Sequence, residues 1–201
     1  MQVGSVAAIF LAAGLSRRFG ADDKLMAPIG QRPLAECGAA ALAGLPFARR
    51  FAIVRYGAEE LEVLLARHGF AVVRNDKPEL GLSHSIRLGV QAATGSSGVL
   101  IALADMPLIP ATHFRSLVDA LSEEHPVVAT RGQHGPMVPA AFAARCFDAL
   151  TGLAGDAGAR VFLKGAATVE IAPDLLVDID DPEQLARIRS AAAADPDASR
   201  A

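Results

Sequence analysis

The eight residues Val6-Ala7-Ala8-Ile9-Phe10-Leu11-Ala12-Ala13 carry no polar side chain and run straight into Gly14. A strand alternates its side chains between two faces, so an apolar run of this length needs cover on both. That requirement points to the interior of a sheet held between two helix layers.

The rest of the chain repeats the theme. Apolar runs alternate with stretches of helical periodicity. The expected strands span residues 6–12, 51–55, 71–74, 99–104 and 127–130, with shorter extended pieces at 137–139, 168–171 and 176–179. Helices are expected at 33–43, 58–67, 83–93, 110–121, 143–150, 157–163 and 182–193, with Pro33 and Pro110 in first turns and Gly44 and Gly69 just past C-termini. The resulting class is α/β, a mostly parallel central sheet with helices on both faces. One domain is expected over 1–193, and a frayed tail of small and polar residues over 194–201.

Composition narrows the function. The 201 residues are 52% apolar and carry a net charge of −3. This suits one sizeable core and argues against a nucleic-acid partner, which calls for a basic surface. The first apolar run is too short to cross a bilayer and has no basic leader. Cys37 and Cys146 lie far apart, offer no metal-ligand spacing and are expected as small core residues in a reducing compartment. A soluble cytoplasmic protein with no membrane partner is expected.

Past Gly14 the chain reads Leu15-Ser16-Arg17-Arg18-Phe19-Gly20-Ala21-Asp22-Asp23-Lys24. A buried strand emptying into such a loop presents backbone N–H groups and cations to an anion, and a nucleotide polyphosphate is the natural guest. It is not a Walker A loop, because Leu25 follows Lys24 where Ser or Thr is required. Nor is it a dinucleotide fingerprint, because Ser16 stands where the second glycine belongs, which disfavours a nicotinamide-dependent redox enzyme.

Asp105 follows the fourth strand and precedes Met106-Pro107. The rim of an open α/β sheet is where ligands bind, so this carboxylate either holds Mg²⁺ or caps the helix near Pro110. A second cluster, Asp178-Ile179-Asp180-Asp181-Pro182, is open to the same two readings. Asp180 or Asp181 fits an N-cap before an N1 proline, and Asp105 with Asp180, or with Asp178 instead, suffices for a magnesium ion that also touches phosphates. The stretch from Asn75 through Gly81, Ser83 and Ser85 enters a helix with donors suited to a base or ribose, though Ser83 equally suits an N-cap. His84 is expected on the exposed side of that helix. Arg160, in the first turn after Gly155-Asp156, sits at the wrong end of a helix dipole, which hints at an external anion.

Together these segments resemble the molybdenum-cofactor nucleotidyltransferase family, nearer its cytidylyltransferase branch than its guanylyltransferase branch. The resemblance rests on 11–20 with Asp23-Lys24, 81–85, 104–107, 155–160 and 178–182, in the family's order. It implies a Rossmann-like nucleotidyltransferase fold, Mg²⁺ dependence, and transfer from an NTP to a phosphorylated acceptor with loss of pyrophosphate. Carried over by position, Leu11, Ala12, Ala13 and Gly14 would hold base and ribose, Arg17 and Lys24 the phosphates, and Asp105 and Asp180 the metal, with Ser16 also in the nucleotide site. Asn75, Gly81, Ser83 and Ser85 would complete the nucleotide site, with Arg17, Lys24 and Asp105 catalytic. Ala13, where the guanylyl branch has glycine, favours CTP, and the implied acceptor is molybdopterin, with a molybdoenzyme or its maturation factor as partner. His84, the 132–138 loop and Asp181 depart from the family pattern. Rival readings are another small-molecule or sugar-phosphate nucleotidyltransferase, and a nucleotide-binding maturation factor that transfers nothing.

Overall fold

The computed structural model describes residues 1–15, 19, 23–153 and 160–194. Its main sheet has seven strands in the order β5-β4-β1-β6-β8-β7-β9. They are β1 (Val6–Ala12), β4 (Arg49–Arg55), β5 (Ala71–Asn75), β6 (Gly98–Leu103), β7 (Val127–Gly132), β8 (Gly135–Ala143) and β9 (Ala167–Val169). Only β8 runs against its neighbours β6 and β7. A two-stranded hairpin, β2 (Pro28–Ile29) and β3 (Arg32–Pro33), stands apart from that sheet. Sequence reading missed it, because two-residue strands leave no periodicity to detect.

β1 is buried throughout, and its alternate residues serve separate cores. Val6, Ala8, Phe10 and Ala12 face one cluster with residues of α1 (Leu34–Ala43), α2 (Glu59–Arg67), α4 (Ala111–Asp119) and α7 (Pro182–Ala194). Ala7, Ile9 and Leu11 face the other, with residues of α3 (Leu82–Ala92), α5 (Phe147–Thr151) and α6 (Arg160–Leu163). Two helix layers on one mostly parallel sheet is the architecture that the polar-free run demanded. α3 lies so close to β1 that a Cβ on Gly89 would stand 2.5 Å from Ile9 Cγ2.

The chain leaves β1 for β4 and β5 on one side, then returns to place β6 on the other. Such a reversal opens a crevice at the carboxyl ends of the two central strands, here beside Gly14 and Asp105.

Several expected boundaries moved. Pro33 and Pro110 are N-cap residues rather than first helical residues. Residues 143–150 form a 3₁₀ turn, Ala144–Cys146, followed by α5 rather than one helix. Residues 176–179 are not a strand, and Ile179 donates its N–H to the carbonyl of Asp105 at 3.0 Å instead of joining a ladder. β8 is three times the expected length: Pro136 stays in register opposite Arg131, and Pro139 falls at a break in the ladder. Pairing with β7 jumps from Ala129↔Ala140 to Thr130↔Met137, leaving Val138 and Pro139 in the irregularity. Cys37 and Cys146 are half-buried rather than core residues. The helix start at 157–159 and the tail beyond Ala194 fall outside the described residues.

Candidate active site

The carboxylate end of the site is assembled from two distant segments. In the extended piece 178–180, alternation sends Ile179 into the core, with no exposed surface, and turns its flanking aspartates the other way. The backbone bond from Ile179 to Asp105 sets the two segments side by side. As a result carboxylate oxygens of Asp105, Asp178 and Asp180 all lie within 4.8 Å of one another.

The capping alternatives separate cleanly. Asp181, not Asp180, caps α7: its Oδ1 accepts the Gln184 N–H at 2.8 Å, and Gln184 Oε1 accepts the N–H groups of Asp180 and Asp181. This is a reciprocal capping box with Pro182 in the first helical position. Asp105 does not cap α4, whose N-cap is Pro110 and which has no side-chain cap. Lys24 Nζ instead donates to Asp105 Oδ2 at 2.8 Å and stands 3.7 Å from Asp180 Oδ1.

One ammonium does not neutralise three carboxylates. Asp105 Oδ1 and Asp178 Oδ1 are closed to solvent and accept no hydrogen bond from the described residues. Burial, then the negative charges of Asp105 and Asp180, push Asp178 up to about 7, while Lys24 pulls it back. Buried oxygens without donors, in a cluster with surplus negative charge, are what an oxygen-seeking divalent cation satisfies. The donor set fits Mg²⁺, and Asp105 with Asp180 or Asp178 would hold it.

Lys24 is positioned from behind. It sits in a 3₁₀ turn, Lys24–Met26, whose N-cap Asp23 accepts the Leu25 N–H at 3.0 Å. The other Asp23 oxygen accepts both Nη groups of Arg55, at 2.9 and 3.3 Å. Sequence reading had found Lys24 but not this support. An aspartate just before the turn is a local cap signal; Arg55, at the end of β4, carries none.

Beside the cluster lies a cleft of about 410 Å³, lined by Leu11, Ala13, Gly14, Gly81, Ser85 and Asp105 together with Leu15, Pro78, Glu79, Leu82 and Leu103. Its size suits a small molecule. A Cβ on Gly14 would meet no heavy atom of the described residues within 4 Å and would project into the cleft, so the glycine keeps its floor open. Gly81, at φ +81°, makes the turn into α3 and is its N-cap, a conformation unfavourable to other residues.

Three expected nucleotide residues stand behind the lining rather than in it. Ala12 packs into the opposite core, Ser83 is buried, and Asn75 is fully buried. Asn75 Oδ1 accepts the Lys77 N–H at 2.9 Å, which fixes its amide and aims Nδ2 at Ser85 Oγ, 3.0 Å away. Ser85 therefore accepts from Asn75 and keeps its own proton for another partner. His84 is not exposed as expected: it is half-buried, neither ring nitrogen is open to solvent, and neither has a hydrogen-bond partner among the described residues. Ser16, Arg17 and Arg18 lie outside the described residues, as do 155–159.

An open α/β sheet with an acidic cluster and an anion-ready lysine at its switch point defines a nucleotide-handling class. Within that class the chain belongs to the family of the MobA-like NTP transferase domain, whose pattern matches residues 8–171. It is 32% identical to purine catabolism protein PucB of Bacillus subtilis over 198 residues, covering 91% of this chain and 95% of that protein. A nucleotidyl transferase from Methanothermobacter thermautotroptrophicus superposes with a TM-score of 0.79 at 25% identity, over 94% of this chain and 98% of its own. A homolog of Mycobacterium tuberculosis rv0371c from Mycobacterium sp. strain JC1 gives a TM-score of 0.83 at 24% identity, over 96% and 99% of the two chains.

Proposed function

We propose that the protein moves a nucleotidyl group, cytidylyl by preference, from an NTP to a phosphorylated small-molecule acceptor, with molybdopterin foremost, and releases pyrophosphate. The observation that carries this reading is the meeting of Lys24 with Asp105 and Asp180 beside a cleft whose floor is Gly14. The family resemblance adds Arg17 as a second phosphate cation, CTP through Ala13, and Mg²⁺ on Asp105 and Asp180, with Asp178 as the alternative ligand. The reaction would run in the cytoplasm, with a molybdoenzyme or its maturation factor receiving the product. No helix among the described residues is long and apolar enough to cross a membrane. One domain over 1–193 would contain the whole site.

The obstacle to this chemistry is charge, since an anionic acceptor must approach an anionic triphosphate. Bound Mg²⁺ would supply positive charge shared between carboxylate and phosphate oxygens. Lys24 and Arg17 would offset the charge growing on the departing pyrophosphate, and Gly14 would let the backbone approach the nucleotide closely. Ser85 would donate its unused proton to an acceptor atom on the nucleotide. No side chain has to remove a proton from the nucleophile, because a phosphate is already ionised near neutral pH.

Pyrophosphate release measured with each NTP, Mg²⁺ and candidate acceptors tests the reading. Asp105→Ala should abolish metal-dependent release while leaving the circular dichroism spectrum unchanged; near-normal release from that variant would remove Asp105 from the mechanism. The rival reading is a nucleotide-binding maturation factor that transfers nothing. Saturable CTP binding with no pyrophosphate from any acceptor would decide for it.

A further inference from the structure

The proposed metal ligands already hold a cation of the protein's own. Lys24 is 8% exposed, and its ammonium lies 2.8 Å from Asp105 Oδ2 and 3.7 Å from Asp180 Oδ1. The remaining Asp105 oxygen is sealed from solvent, so the quarter of that side chain left exposed is not on Oδ1. A cation that binds this carboxylate therefore shares it with the ammonium already on Oδ2. Mg²⁺ binds carboxylate oxygen at about 2.0–2.1 Å. Two cations on one carboxylate at such distances repel each other.

Lys24 also has a second station. On the nucleotidyltransferase reading it serves the phosphates, and a single ammonium cannot hold Asp105 and the triphosphate at full strength together. Its four-carbon stem, anchored in a turn fixed by Asp23 and Arg55, gives it reach without moving the backbone.

We propose that Lys24 is a built-in counter-ion for the metal site, drawn off by the incoming triphosphate, so that divalent metal and nucleotide load together rather than in sequence. The metal alone binds weakly because Lys24 occupies its place. This inference rests on the proposed function, but its test does not use turnover.

The experiment is calorimetric titration of Mn²⁺ into the protein without nucleotide, for wild type, Lys24→Met, Lys24→Arg and Asp105→Asn, each checked for a native unfolding transition. Removing a unit charge about 4 Å from a divalent ion should tighten Mn²⁺ binding about tenfold or more, even with water-like screening. Lys24→Arg, which keeps the charge, should stay near wild type, and Asp105→Asn should lose binding. Equal or weaker Mn²⁺ affinity in Lys24→Met overturns the exchange. If Asp105→Asn binds Mn²⁺ as wild type does, the metal site itself is wrong, and the exchange falls with it. Loss of binding in Asp105→Asn without a gain in Lys24→Met overturns the exchange and leaves the metal site standing.

Discussion

Single atoms decide most of the chemistry at the residue scale. Lys24 is worth more than a surface charge because it is buried against Asp105, and removing one well-placed phosphate contact costs roughly 2.7–4 kcal/mol in a transition state, by analogy with oxyanion-hole deletions. Lys24→Ala should therefore slow steady-state pyrophosphate release about a hundredfold or more. The same removal that tightens bare metal binding is thus expected to cripple turnover, a pairing that a purely structural lysine would not produce. Asn75 acts through Ser85. In Asn75→Asp the carboxylate has no proton to offer and would take the one Ser85 holds, so the nucleotide loses a donor. A neutral hydrogen bond contributes about 0.5–1.5 kcal/mol, so the nucleotide KM should rise roughly two- to tenfold with kcat nearly unchanged. A fall in kcat without a change in KM would place Asn75 in a different role.

Among the elements, α3 and β1 are fitted to each other through a missing side chain. Gly89 lets the helix approach Ile9, and Gly89→Ala would force a Cβ to 2.5 Å from Ile9 Cγ2. Overpacking of this kind costs about 1–3 kcal/mol, which urea unfolding would detect, and a double-mutant cycle with Ile9→Ala, which removes Cγ2, should show the two changes costing less together than their sum. The element scale is also where sequence reading stood or fell. Strands buried on both faces, such as β1, β4 and β6, were legible because their polar-free runs are local signals. β8 is cut short at its prolines in the sequence, because nothing local tells that Pro136 keeps its place opposite Arg131 or that the register shifts beside Pro139. Residues 176–179 read as a strand because three of the four are apolar and β-compatible; what they lack is a neighbouring ladder, which no local pattern reports.

For the molecule as a whole, a buried polar contact joins α4 of the helix layer to β7 of the sheet. Thr130, fully buried, donates to the Pro139 carbonyl at 2.7 Å, so its oxygen must accept from His113 Nε2 at 2.8 Å. That fixes the neutral tautomer with the proton on Nε2. Burial lowers the His113 pKa, so in the acid range the unfolded chain takes up a proton that the folded one refuses. The stability His113 supports is present above the unfolded value of about 6.5 and is lost as pH falls through the lower folded value. His113→Gln keeps an N–H donor without the titration, so the drop in melting temperature between pH 7 and pH 5 should be smaller in that variant. An unchanged drop would assign the acid sensitivity elsewhere.

By itself the sequence determined the layered α/β plan, the glycine that opens the cleft floor and the identity of the charged residues, because each is written in a run of adjacent side chains. It left open which aspartate caps α7 and which ones face a cation, since Asp180 and Asp181 offer the same chemistry one position apart. Only the tertiary structure decided that. A single backbone bond between Ile179 and Asp105 joins segments more than seventy residues apart in the chain, and burying Ile179 turns Asp178 and Asp180 toward Lys24. Contacts of that range depend on how the sheet reverses direction, a property of the folded chain as a whole that no window of neighbouring residues contains.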